Sequence, residues 1–171
     1  MRTNVIYEFE NLNSGAVLEI ASATKEDDTN AQQWPTGHQK HQQWKLKSGG
    51  NNYYYIQSFN NENLVLKAAS KTKGGNICIS TYVENESAML FIFIDKGDGT
   101  YSIDSKILND KCAIEVLNAS KDNGQNIQQW QFTDNNCQKW KANIISNAIL
   151  SVVKTNIYKE NDYVHPVVFD K

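Results

Sequence analysis

A chain of 171 residues fits one domain, large enough to bury a core without disulfides or a metal. With 40% apolar and 21% charged residues it has the profile of a globular protein, not of a disordered or membrane-spanning one. Its 17 basic and 19 acidic residues leave a formal charge of -2 with no block of Lys and Arg, which argues against nucleic acid as a partner.

The first twenty residues include Glu8, Glu10, Asn11, Asn13 and Glu19 and no apolar run. The expectation is therefore no signal peptide and no membrane insertion, and a protein that is cytoplasmic or exported by a non-classical route. Tyr7 opens a first unit, residues 5–47, in which Leu18 and Ile20 alternate as in a strand and Asn13-Ser14-Gly15 marks a turn. Trp34, preceded by Gln32-Gln33, stands ten residues before Trp44, the last residue of a Gln-x-Trp triplet. After the break at Ser48-Gly49-Gly50-Asn51-Asn52 comes a second unit, residues 53–94, with Tyr53-Tyr54-Tyr55-Ile56 and Leu64/Leu66 as strand signals. Lys96-Gly97-Asp98-Gly99 leads to a third unit, residues 101–142, with Ile114/Val116, Gln128-Gln129-Trp130 and Gln138-Lys139-Trp140.

The units share one frame. Tyr7, Tyr54 and Tyr101 are 47 apart, and sixteen residues separate Leu18 from Trp34, Leu64 from Ser80 and Ile114 from Trp130. Ten more reach Trp44, Leu90 and Trp140, so the middle unit has Ser80 and Leu90 where its neighbours have tryptophan. Asn30, Asn76 and Asn126 coincide in all three units and are assigned to turns, since they persist where the tryptophans are lost. With no apolar stripe of helical period, three units of short strands predict an all-β closed barrel with pseudo-threefold symmetry. The odd set Cys78, Cys112 and Cys137 lacks metal-ligand spacing and is read as reduced. His38 and His41 have no further ligand at zinc spacing, so neither a metal nor a cofactor is expected.

Three units, each ending in Gln-x-Trp or its remnant, resemble the ricin-B-type lectins and carbohydrate-binding modules. The resemblance covers about residues 5–142 and implies a β-trefoil over residues 1–142, with Trp44 and Trp140 in the core. It places a sugar site on Glu19, Gln32, Trp34, His41 and Gln42 in the first unit. In the third unit the site falls on Glu115, Gln128, Trp130 and Gln138, with Cys137 in the place of His41. In the second unit the same positions fall on Val65, Cys78, Ser80, Ser87 and Ala88, which offer no charged acceptor and no ring, so no binding is expected there.

Those residue types suit a sugar. The C–H face of a pyranose packs on an indole, and a carboxylate accepts from two vicinal hydroxyls through charge-assisted bonds. Strand alternation puts Gln32 and Trp34 on one side and turns Gln33 away. The resemblance implies galactose or N-acetylgalactosamine, because an acid gripping O3 and O4 favours the axial 4-hydroxyl. The chain departs from the family pattern in three places: Glu stands for the usual Asp, His41 for Asn, and Cys137 is a weak hydrogen-bond partner.

Glycans are thus the expected partners. Glycoside hydrolysis needs two carboxylates about 5 to 9.5 Å apart, whereas each proposed pocket has one, so the chain is not expected to be an enzyme. Two other readings stand beside the lectin: a protein-binding trefoil, as an inhibitor or toxin-complex component, and the targeting module of a larger glycosidase or toxin. Residues 143–171 hold Ile144-Ile145, Ile149-Leu150, Val152-Val153 and Val167-Val168-Phe169, a β-rich C-terminal extension. It is read as extra strands on the barrel, a homodimerisation arm, or the start of a further domain.

Overall fold

The computed structural model describes residues 1–108 and 111–147, so residues 148–171 of the C-terminal extension lie outside the described residues. Among the described residues run twelve strands, four to a unit. The first unit has β1 (Val5–Asn11), β2 (Val17–Ile20), β3 (Ala31–Trp34) and β4 (Trp44–Ser48). The second has β5 (Tyr53–Ser58), β6 (Leu64–Ala68), β7 (Ile77–Thr81) and β8 (Phe91–Asp95). The third has β9 (Tyr101–Ser105), β10 (Cys112–Val116), β11 (Ile127–Gln131) and β12 (Trp140–Asn147).

All pairings are antiparallel. The outer strands of each unit form a closed ring β1–β4–β5–β8–β9–β12, sealed by β12 lying along the whole of β1. The inner strands form three hairpins, β2–β3, β6–β7 and β10–β11. A six-stranded ring with three hairpins is a β-trefoil, and closure leaves its ring without free edges. Alternation along the strands sends Phe9, Leu18, Ile20, Leu46, Ile56, Leu66, Ile114 and Val116 into one buried core. Trp44 and Trp140 are fully buried there, and their indole N–H groups donate to Leu18 O at 3.0 Å and Ile114 O at 3.1 Å.

The strand register corrects the repeat frame in the middle unit. Glu10 pairs with Val17, Gln57 with Val65 and Asp104 with Ala113, so Val65 corresponds to Val17. The counterpart of Glu19 and Glu115 is then Lys67, not Val65; Lys67 faces Cys78 as Glu19 faces Gln32 and Glu115 faces Gln128. Similarly, Tyr54 pairs with Phe91 as Tyr7 pairs with Trp44 and Tyr101 with Trp140, so Phe91 takes the tryptophan position, not Leu90. Ala88 and Met89, rather than Ser87 and Ala88, answer His41 and Gln42.

The cause lies in two loops. Residues 21–30 and 117–126 link the hairpin strands of the outer units, but residues 69–76 suffice in the middle one. The difference is a pair of left-handed residues inside a 3₁₀ turn, Ser22 and Ala23 at φ 55° and 54°, and Asn118 and Ala119 at φ 57° and 51°. The middle unit lacks that turn, and it gains one residue between Ser80 and the 3₁₀ turn Ser87–Met89. Asn30, Asn76 and Asn126, expected in turns, instead form isolated bridges to the neighbouring unit, opposite Cys78, Gln128 and Gln32.

Asp104 on β9 is buried, and among the described residues its Oδ1 has no hydrogen-bond partner. Burial raises its carboxyl above the ordinary 3.8, against weaker opposing effects from Ser102 and Lys96. An acid with a raised folded pKa binds its proton more tightly folded than unfolded, so its ionised form costs stability, and the cost is relieved as pH falls through that pKa. Asp104→Asn is therefore expected to melt higher than wild type at pH 7, with the gap closing towards pH 4; equal melting temperatures at pH 7 would refute this account.

None of the three cysteines is in a disulfide, and all are buried. Burial pushes the Cys78 thiol up to about 11 and raises Cys137 as well, the latter with help from the nearby Glu115 carboxylate. A thiol is reactive as thiolate, so a thiol reagent at pH 8 is expected to leave Cys78 unmodified until the protein is unfolded. Prompt labelling of Cys78 in the native protein would contradict that.

Candidate functional site

In the first unit the register Glu19↔Gln32 and Val17↔Trp34 puts Glu19, Gln32 and Trp34 on one face of the β2–β3 hairpin. Glu19 is only 4% exposed. Its Oε1 accepts from Gln32 Nε2 at 2.7 Å and its Oε2 from Gln42 Nε2 at 2.9 Å, with His41 Nε2 3.4 Å from the same oxygen. Gln42 is saturated by this arrangement: its second N–H donates to Pro35 O at 3.0 Å and its oxygen accepts from Gly37 N at 2.8 Å. Gln42 therefore orients the carboxylate and braces the loop after Trp34, while Gln32 keeps an amide edge for a ligand. Trp34 is 43% exposed. Glu19, Gln32, Trp34, His41 and Gln42 all line one cavity of about 520 Å³, walled also by Ser22 and Ala23 of the 3₁₀ turn. His38 is not part of it; its Nδ1 turns to Glu8, at 3.1 Å.

The third unit repeats the arrangement. Glu115, 7% exposed, accepts from Gln128 Nε2 at 2.8 Å and Gln138 Nε2 at 2.7 Å, and Trp130 is again 43% exposed. Gln138 is held as Gln42 is, donating to Gln131 O at 2.8 Å and accepting from Thr133 N at 2.8 Å. Cys137 and Ala119, in the places of His41 and Ala23, border a polar recess of about 450 Å³ that also touches Asn13 and Asp134.

The middle unit has no such pocket chemistry. Lys67 replaces the acid, Ser80 the platform, and Met89 the bracing glutamine; Met89 packs with Tyr55, Val65 and Leu90 in a small apolar cluster. Its sulfur takes the backbone N–H of Val83 at 3.4 Å, where Gln42 and Gln138 take those of Gly37 and Thr133.

The ricin-type beta-trefoil lectin domain-like family model matches residues 2–80 and 87–159, most of the chain. The chain belongs to this family. Among solved structures the trefoil is similar to the designed threefold-symmetric protein ThreeFoil, at 26% identity and TM-score 0.76, covering 80% of this chain and 96% of that one. It is similar to part of an exo-β-1,3-galactanase from Clostridium thermocellum, at 29% identity and TM-score 0.77, covering 82% of this chain but 30% of the enzyme. A ricin B-like lectin of Macrolepiota procera, solved with lactose, shares the fold at 16% identity and TM-score 0.68, over 84% of this chain and 97% of that one. A search of curated proteins finds no match.

The lectin-like site also has partners that sequence reasoning missed. Gln33, fully buried, reaches across to the third unit, its Nε2 donating to Ser120 O at 3.1 Å and Asp122 O at 2.8 Å. Gln129 does the same to Ser70 O at 2.5 Å and Thr72 O at 3.0 Å of the second unit. The doubled glutamine before each exposed tryptophan was the available signal: one of the pair faces the pocket and the other ties down the neighbouring unit.

Proposed function

We propose that this chain is a carbohydrate-binding lectin, not an enzyme, that recognises galactose- or N-acetylgalactosamine-type glycans through its first and third units. The observation that carries this reading is the twice-repeated set of a nearly buried carboxylate, clamped by two glutamine amides, beside a half-exposed indole. Each carboxylate oxygen spends one lone pair on an amide and keeps another for a hydroxyl. The clamp fixes the acceptors before the sugar arrives, so little side-chain ordering remains to oppose binding. Trp34 and Trp130 supply the apolar platform, and Gln32 and Gln128 the remaining polar edge.

Lactose in the Macrolepiota lectin supports a galactose-type ligand at the level of the fold. The galactanase is a longer chain of which this one spans 30%, so its activity is not carried over. A single clamped acid per pocket suits recognition rather than glycoside hydrolysis, which takes a pair. Affinities of about 0.1 to 1 mM per site, some 4 to 5.5 kcal/mol, are expected, with avidity on clustered glycans that engage both units.

The test is a glycan array of wild type beside the Trp34→Ala/Trp130→Ala variant, with folding checked by melting. Binding of galactose- or N-acetylgalactosamine-terminated glycans by wild type alone supports the assignment. Wild type that binds no glycan, or a variant that binds as well, refutes it.

A further inference from the structure

Each exposed tryptophan lies against a glycine of another unit. A Cβ built on Gly124, in the third unit, would stand 3.4 Å from Cζ3 and 3.9 Å from Cε3 of Trp34, and 3.9 Å from Gln32 Oε1. Gly74, in the second unit, would meet Trp130 and Gln128 at the same three distances. Both glycines sit at left-handed φ, 77° and 81°. Both are pinned to the strand that carries the tryptophan: Gly124 N donates to Gln33 O at 2.9 Å and Gly74 N to Gln129 O at 2.8 Å. The buried amides of Gln33 and Gln129 grip the same two loops from below. The Cζ3–Cε3 side of the ring thus packs beside bare backbone, where a Cβ would already be in van der Waals contact and a longer side chain would have to run past the ring and the facing glutamine.

The middle unit supplies the contrast. By the same backbone bond, Asp28 N to Ile79 O at 2.8 Å, the equivalent loop position in the first unit is Asp28, at φ 59°. Its carboxylate reaches over Cys78, 3.9 Å from Sγ, and meets Lys67 Nζ at 3.5 Å. Cys78 and Lys67 hold the positions that Gln32 and Glu19 hold in the first unit. A side chain at this loop position can therefore reach the residues that stand where Glu19 and Gln32 stand in the first unit.

We propose that Gly124 and Gly74 are positioning residues for the two sites, each donated by another unit: Gly124 seats Trp34, Gly74 seats Trp130, and a side chain as long as Asn in either place obstructs the site it serves. This rests on the lectin reading for its ligand but not for its geometry. The middle unit, without a pocket of its own, then provides the bed for the third unit's platform.

Asn is the substitution to use, because it tolerates left-handed φ and Asp28 shows that the turn accepts a side chain of that length. The Trp34 pocket is read alone in a Trp130→Ala background, and the Trp130 pocket in Trp34→Ala. Gly97→Asn is the control, since Gly97 has nearly the same φ, 78°, with nothing near a built Cβ. Expected is a loss of about tenfold or more in glycan affinity for Gly124→Asn in the first background and for Gly74→Asn in the second. Gly97→Asn is expected to leave both affinities unchanged while losing as much thermal stability.

Iodide quenching of indole fluorescence gives a readout free of sugar. Trp44 and Trp140 are buried, so in the Trp130→Ala background the quenchable signal is Trp34, and Gly124→Asn is expected to change it where Gly97→Asn does not. Binding and quenching in Gly124→Asn equal to those of Gly97→Asn overturn the proposal. If the single-site parents bind no glycan but the quenching shift appears, the lectin reading fails and the positioning role of the glycine stands.

Discussion

Trp44→Ala is expected to destabilise the protein by about 3 to 5 kcal/mol, the range for removing a large buried aromatic, and to lower its melting temperature by roughly 10 °C. Trp44 is fully buried where β4 meets β1, and its indole N–H satisfies Leu18 O. Truncation leaves a cavity and an unpaired carbonyl together. Against a total stability of about 5 to 15 kcal/mol this is a large share. Trp44→Phe is the informative companion. The middle unit already places Phe91, equally buried, at this register position, so the ring-sized space can be filled and the expected cost falls to about 1 to 2 kcal/mol, mostly for the lost hydrogen bond. The measurement is thermal or denaturant unfolding of both variants. An alanine variant that melts with wild type would mean that Trp44 is not part of the core.

Glu19→Gln is expected to weaken the first unit's pocket by about ten- to a hundredfold, corresponding to the 1.5 to 3 kcal/mol carried by hydrogen bonds to a charged group. The change keeps shape and removes charge, but it also turns one acceptor into a donor. Gln32 and Gln42 both point an N–H at the carboxylate, on opposite oxygens. An amide at position 19 meets one of them donor to donor, so the clamp opens as well. The effect is measured by titrating glycan in the Trp130→Ala background, where the third unit is silent. Glu115→Gln in the Trp34→Ala background is expected to behave alike, because Gln128 and Gln138 clamp Glu115 in the same way. Unaltered affinity in both variants would remove the carboxylates from the ligand site.

The fold was legible because its anchors are large and regularly spaced: Tyr7, Tyr54 and Tyr101, and two tryptophan pairs ten residues apart. That Glu19, Gln32 and Trp34, and likewise Glu115, Gln128 and Trp130, come together on one hairpin face was legible for the same reason, these residues being tied to those anchors by short strands. The middle unit was misread because two apolar residues stood beside the true counterparts. Leu64 lies two before Leu66 and masked the missing 3₁₀ pair, and Leu90 lies one before Phe91 and masked the extra residue. Equal spacing in sequence can therefore hide a deletion compensated elsewhere, and the hydrogen-bonded register is what exposes it. Gln42 and Gln138 were assigned to the ligand, yet their full set of bonds to Glu19, Glu115 and the backbone gives them a supporting part. The contribution of Gly124 and Gly74 was out of reach, since each serves a tryptophan in another unit and no local pattern links them.

The seal between β1 and β12 has a consequence for how the protein is made. Val5 finds its partner Asn147, and Asn11 its partner Trp140, only after nearly the whole domain has been synthesised. At about 5 to 20 residues per second, the first strand leaves the ribosome and waits roughly 7 to 28 s for the strand that covers its open side. During that interval Glu8 and Glu10 put negative charge on an exposed edge, which discourages pairing with other nascent chains. Because Trp34 packs beside Gly124, the arrangement around it stays unfinished for nearly as long, and the two proposed sites are completed within one short stretch of chain, residues 124–140.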